Sequence, residues 1–168
     1  MKALPYIRLT FRTASTPDAA SARIAEMITP RRFFLKRPQE PFRGTISDSH
    51  FEVMRVLGMG WHNSFLPVVI GDVVHGELGA EVRVRMRLNA LVAAFVTVWF
   101  GGLFLMTGGF VYDAMTRSRP IGDSLAGLGV MALFAYGLMS ISFWTEVTRA
   151  RLLLRDGLGV TDSDVVEG

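Results

Sequence analysis

Two uncharged apolar runs, Ala90–Tyr112 and Ser124–Thr145, constrain this chain more than any other feature. A helix rises 1.5 Å per residue and a bilayer core is about 30 Å thick, so about 20 apolar residues suffice to cross it. Both runs pass that length. Only the segment Asp113–Asp123 separates them. The expected arrangement is a transmembrane helical hairpin at 90–145, with spans at 90–112 and 124–145.

The residues before the hairpin, 1–89, have the mixed composition of a water-exposed domain and are expected to lie in the cytoplasm. The start, Met1-Lys2-Ala3-Leu4-Pro5-Tyr6-Ile7-Arg8, lacks the apolar core of a signal peptide. The first segment able to engage a translocon is then the first span. Charge agrees. Arg83, Arg85 and Arg87 precede the first span, and Arg149, Arg151 and Arg155 follow the second. The connection holds Arg117 and Arg119, offset by Asp113 and Asp123. An excess of arginine on the flanks over the connection places both termini in the cytoplasm. The chain has no cysteine, which excludes disulfides, thiol chemistry and thiolate metal sites.

Alternation of apolar and polar residues marks the strands. Leu4–Arg12 reads as the first. Thr16-Pro17-Asp18 then starts a helix: a hydroxyl N-cap, a proline at the first turn, and an acid near the positive dipole end. Its apolar face takes Ala20, Ile24, Met27 and Ile28, and it ends before Pro30. Arg31–Pro41, with its two prolines, reads as a connection. Phe42–Ser47 and Phe51–Leu57 flank the polar turn Asp48-Ser49-His50 as a hairpin. Phe65–Val74 follows, with Pro67 suited to an edge or a strand start. Glu81–Leu88 alternates most cleanly, with Val82, Val84, Met86 and Leu88 on one face and Glu81, Arg83, Arg85 and Arg87 on the other.

The expected fold is therefore an α+β membrane protein. A small antiparallel sheet with one packed helix, in the order β-α-β-β-β-β, precedes a transmembrane hairpin whose second helix extends into the cytoplasm. The extension covers 146–157, stopping at Gly157, and can return to pack on the sheet. Residues 158–168, acidic from Asp162 onward, are expected to be a disordered tail.

Within the first span, Ala93, Thr97, Gly101 and Gly109 recur at intervals of four and eight. Small residues at that spacing allow close helix packing, though glycine is also simply common in transmembrane helices. Trp99 falls nearly opposite this face. Trp99 and Tyr136 are expected at a shared depth; Tyr112 and Trp144 read as interfacial anchors. No ionisable residue lies inside either span, so the signature of a proton relay or ion path is missing.

The sequence offers little for catalysis. His50, His62 and His75 form no pair at metal-ligand spacing, and no GxSxG, Walker loop, GxGxxG or HExxH occurs. Gly58-Met59-Gly60 reads as a strand connection. No cofactor and no enzymatic activity are expected. His62, Asn63 and Ser64 admit two readings: a polar cluster at a strand entrance, or turn chemistry in which side chains bond nearby amides. Arg83, Arg85 and Arg87, with Arg149 and Arg151, suit contact with anionic lipid headgroups; Arg31, Arg32, Lys36 and Arg37 form a second basic cluster. Nearness to the bilayer and the lack of interleaved aromatics argue against nucleic acid.

Phe42-x-Gly44, Phe51, Asn63-Ser64-Phe65-Leu66-Pro67-Val68 with Gly71, and Met86-Arg87-Leu88 running into Trp99-Phe100 resemble an uncharacterised family of short bacterial membrane proteins. The resemblance spans Ile7 to Gly102. His62 stands where that pattern has arginine, and Asn89 where it often has histidine. It implies this architecture in a bacterial inner membrane, and no activity. The functional expectation is a non-enzymatic membrane protein presenting a small cytoplasmic domain to a protein partner or a second copy. The alternative is lipid or apolar-ligand binding by the sheet domain, with Phe33, Phe34, Phe42, Phe51 and Phe65 either lining a cavity or filling an ordinary core.

Overall fold

The computed structural model describes residues 4–30, 40–57, 63–117 and 122–168. His62, Gly58-Met59-Gly60, Phe33, Phe34, Arg119 and the basic cluster Arg31, Arg32, Lys36 and Arg37 lie outside the described residues.

The chain opens with β1 (Tyr6–Thr13) and α1 (Pro17–Glu26), then β2 (Ile28–Pro30), β3 (Phe42–Ser47), β4 (His50–Arg55), β5 (Pro67–Gly76) and β6 (Gly79–Leu88). Two long helices follow, α2 (Ala90–Arg117) and α3 (Gly122–Leu158), and after a 3-10 turn at Asp162–Asp164 the chain ends in β7 (Val165–Glu167). The strands form one sheet in the order β2-β3-β4-β5-β6-β1-β7.

The helix start at Thr16 is as expected. Its hydroxyl accepts from the Ala19 amide at 3.3 Å, with Pro17 and Asp18 in the first turn. The end differs. Ile28 does not continue the helix; it opens β2, which runs parallel to β3 with Ile28 opposite Phe42. The β-branched pair Ile28-Thr29 ahead of Pro30 favours extended backbone over another helical turn. The sheet is consequently mixed, and not antiparallel throughout.

The β3–β4 hairpin turns tightly at Asp48-Ser49, with His50 already in β4. Pro67 begins β5, where its missing N–H is tolerated. β6 alternates as expected: Val82, Val84, Met86 and Leu88 are buried while Arg83, Arg85 and Arg87 are exposed. The same face continues through Ile7, Leu9 and Phe11 of β1, Val69 and Val73 of β5, and Phe51 and Val53 of β4.

Two helices supply buried residues to this core. α1 contributes Ala20 and Ile24. α3 contributes Met139, Phe143, Val147, Ala150, Leu154 and Leu158, a stripe spaced by three and four residues. That stripe begins inside the second apolar run and passes residue 145 without a break. The division expected there is one of hydropathy, not of packing. The helix also passes Gly157. It ends at Leu158, where Gly159 turns the chain at φ +67° and Arg23 donates to the Leu158 carbonyl at 2.9 Å.

The tail is a correction as well. Residues 165–167 pair antiparallel with β1, Val166 opposite Thr10, and the Gly168 amide donates to the Arg8 carbonyl at 3.2 Å. An acidic composition alone suggested disorder, but an unpaired sheet edge and two arginines of α3 hold this segment in place.

α2 is 28 residues and α3 is 37. Both are long and apolar enough to cross a membrane, and only 6% of the apolar window of each is buried. α2 runs on to Arg117, where Asp113 pairs with it at 2.9 Å, so the connection is shorter than Asp113–Asp123. Hydroxyls within the apolar helices bond their own backbone: Thr97 to Ala93, Thr107 to Leu103 and Thr145 to Ile141.

Candidate functional site

α1 and α3 cover one face of the sheet, and among the described residues no helix lies on the opposite face. Register sorts its residues into rungs across the strands. The rung nearest the start of α2 carries Tyr6, Arg87, Val68, Met54 and Arg43. The second carries Arg8, Arg85, Ile70, Glu52 and Thr45. Thr10, Arg83, Asp72, His50 and Ser47 form the third; Arg12, Glu81 and Val74 form the fourth. Carboxylates stand in every rung except the first.

The arginines expected to act together have different partners. Arg83 pairs with Glu81 at 3.1 Å, and Arg85 reaches Asp72 at 4.0 Å. Arg87 has no carboxylate within ion-pair distance among the described residues. On α3, Arg149 pairs with Glu146 at 3.0 Å, and Arg151 with Glu167 at 2.9 Å. Arg151 is thus engaged with the tail. Arg155 bonds Asp156 and Asp162, which together raise its pKa above the ordinary arginine value. Asp164 shifts the other way: the Thr161 hydroxyl and then the Thr161 amide donate to its carboxylate and hold its pKa below the ordinary 3.8.

Of the proposed polar cluster, Asn63 follows turn chemistry. Its side-chain oxygen accepts from the Phe65 amide at 2.9 Å. Its side-chain amide also lies 3.5 Å from the Ser142 carbonyl on α3, so the turn is seated on that helix. Ser64 is exposed.

The small-residue face of α2 does not meet α3. A side chain added at Gly101 or Gly109 would touch nothing within 4 Å, and Thr97 is exposed. Ala93 and Val96 pack against the core instead, and Leu103 is buried. Of the four small residues, Ala93 is turned inward, while Thr97, Gly101 and Gly109 are turned outward.

Beside Asn63, the structure brings together three residues that sequence reading did not combine. Glu146 is 5% exposed and Arg55, from the end of β4, 16%. Arg55 Nε donates to Glu146 Oε2 at 2.5 Å, and Arg149 Nη1 to Oε1 at 3.0 Å. Both carboxylate oxygens are used. The available signal was position: Glu146 lies three residues after Phe143 and four before Ala150, on the buried side of α3.

Two further features suit surface contact more than catalysis. His50 Nδ1 lies 2.7 Å from Asp72 Oδ1 on the open face, both half exposed. No group of three metal-ligating side chains occurs among the described residues. A groove of about 460 Å³ runs between α1 and the β3–β4 turn, lined by Asp18, Ser21, Asp48 and Ser49 among others. It is open and polar in part. Phe42 and Phe51, expected as liners of an apolar site, are fully packed core residues, and Phe65 packs against the same core.

No family model matches the chain, and neither a curated protein nor a solved structure is similar to it.

Proposed function

We propose that this is an integral protein of a bacterial inner membrane, with α2 and α3 spanning the bilayer and both termini in the cytoplasm. It presents its α+β domain at the leaflet surface, without catalysis, to a protein partner or to a second copy of itself. One observation carries the membrane reading. Along α2 and α3, Leu91, Phe95, Val98, Phe104, Leu105, Val130, Leu133, Phe134 and Ile141 are all exposed. A water-soluble monomer rarely leaves so large a continuous apolar surface uncovered, whereas a bilayer covers it without further contacts. The core helix of a soluble domain would be mostly buried, and these are not.

Rigid presentation is favoured by two features. Only Asn89 separates β6 from α2. α3 belongs to the hairpin and to the domain core alike. A domain held this way keeps one orientation toward the leaflet. An apolar-ligand site has less support, because its expected liners Phe42 and Phe51 fill the core.

Alkaline carbonate washing of membranes tests the first part. Retention in the pellet is expected, with a fluorescent fusion after Gly168 bright and a phosphatase fusion silent. Release into the supernatant, or an active phosphatase, refutes it. Native mass spectrometry from mild detergent tests the second. A stoichiometric second protein or a dimer is expected; a bare monomer from an otherwise intact membrane preparation counts against presentation to a partner.

A further inference from the structure

Positive charge on the open sheet face is concentrated at the end from which α2 leaves. The third and fourth rungs are balanced by Asp72 and Glu81. The first two hold an excess, and Arg8 stands directly opposite Arg85 across the β1–β6 ladder. Like charges opposed on neighbouring strands destabilise a sheet. Among the described residues, neither Arg8 nor Arg87 has a carboxylate within ion-pair distance. Arg8 instead donates from Nε to the Tyr6 hydroxyl at 2.5 Å, its guanidinium 5.5 Å from that ring's centre. The arrangement leaves positive charge without a matching carboxylate at this end of the sheet.

Its location names the anion. At about 3.3 Å per residue, Arg87 lies within about 10 Å of the first residue of α2, and Arg85 within about 17 Å. The screening length at physiological salt is about 8 Å, so a leaflet's charge acts most on the first rung, more weakly on the second and least on the third. Leu4 and Tyr6, 73% and 39% exposed, stand at the same end. An exposed aliphatic and a tyrosine beside arginines match the residues found where bilayer meets water.

We propose that Tyr6, Arg8, Arg85 and Arg87 form a surface that binds the phosphate of anionic phospholipids in the leaflet where α2 begins. This rests on the reading that the hairpin spans the bilayer. Arginine suits the role because its planar fork donates two parallel bonds to a phosphate. A bound phosphate also relieves the Arg8–Arg85 repulsion. Arg83, engaged with Glu81 and a rung further away, lies outside the site. Tyr6 and Arg8, which the linear stripe of β6 does not include, belong to it.

The test uses the full chain in mild detergent with phosphatidylglycerol or phosphatidylcholine, bound lipids being counted by native mass spectrometry. The wild type is expected to retain phosphatidylglycerol over phosphatidylcholine. An arginine near an anionic surface is worth about fivefold in affinity and less further away, so Arg8→Gln with Arg87→Gln should lower retention by about 5- to 25-fold. Arg83→Gln should change it less than twofold. Arg8→Lys with Arg87→Lys keeps the charge and should retain much of the preference, which separates loss of binding from loss of fold. Equal retention by the glutamine pair overturns the proposal, as does an equal loss in Arg83→Gln. So does an acidic protein whose capture depends on Arg8 and Arg87 while lipid retention does not. Carbonate extraction of the same variants is read independently: release of the wild type refutes the spanning hairpin, and retention with no lipid preference refutes only the site.

Discussion

Replacing Glu146 with alanine removes one partner of the buried pair that joins α3 to β4. Arg55 is 16% exposed and Glu146 5%. The guanidinium would be left almost out of water with no counter-charge. Breaking a buried pair on one side costs about 3–5 kcal/mol. Arg55 retains some access to solvent, so about 3 kcal/mol is the expected loss. Arg149 adds little, since a largely exposed partner contributes about 0–1 kcal/mol. For a chain of this size about 1 kcal/mol lowers Tm by about 2–4 °C, so a fall of about 6–12 °C is expected. The assay is thermal unfolding of the full chain in detergent, followed by near-ultraviolet circular dichroism. The double variant Arg55→Met with Glu146→Leu removes both charges and keeps the volume. It should recover most of the loss or exceed the wild type, because desolvating the pair offsets much of its attraction. A Glu146→Ala protein within about 1 °C of wild type would refute the reasoning, as would a double variant no better than the single.

Other outcomes follow from single contacts. Gly71→Ala should destabilise by about 1–3 kcal/mol, read from denaturant midpoints, because the new Cβ would sit 2.2 Å from the Phe51 ring; Phe51→Leu in the same chain should restore part of it. Gly101→Leu should change stability by less than about 0.5 kcal/mol, because nothing lies within 4 Å; a change in oligomeric state on native gels would show that a second copy uses this face. The tail should loosen in acid. Asp164 has its pKa lowered in the folded chain, so its contribution is present above the ordinary 3.8 and fades as pH falls through the lowered value. The protection factor for hydrogen exchange at Val166 should fall over that range, and Asp164→Asn should lower it already at neutral pH.

Most of the fold could be read from local pattern. The period of two along β6, the hydroxyl-proline-acid start of α1 and the uncharged length of α2 each act within a few residues. Asn63 was legible too, because an amide side chain bonding two residues onward needs no distant partner. The candidate site was less so. Arg83, Arg85 and Arg87 look equivalent along one strand. Their carboxylates come from Glu81 on the same face and from Asp72 across the ladder, and only strand register decides which arginine is left without one. Tyr6 and Arg8 sit some eighty residues from Arg87 in the chain and one strand away in the fold.

The sequence by itself determined the class of most elements, because propensity, capping and hydropathy are short-range effects. It also determined that α2 and α3 are long and apolar enough to cross a membrane. Tertiary structure decided what those elements meet. Ile28, locally disposed to extended backbone, found a parallel partner in β3, and the acidic tail became β7 because β1 had an unpaired edge. Thr97, Gly101 and Gly109 of α2 turned outward because Ala93, Val96 and Leu103 filled the inward contact. Glu146 became a buried charge because Arg55 arrives from β4. Each of these depends on which groups are close in space, and pairing energies between distant residues leave no periodic trace in a chain.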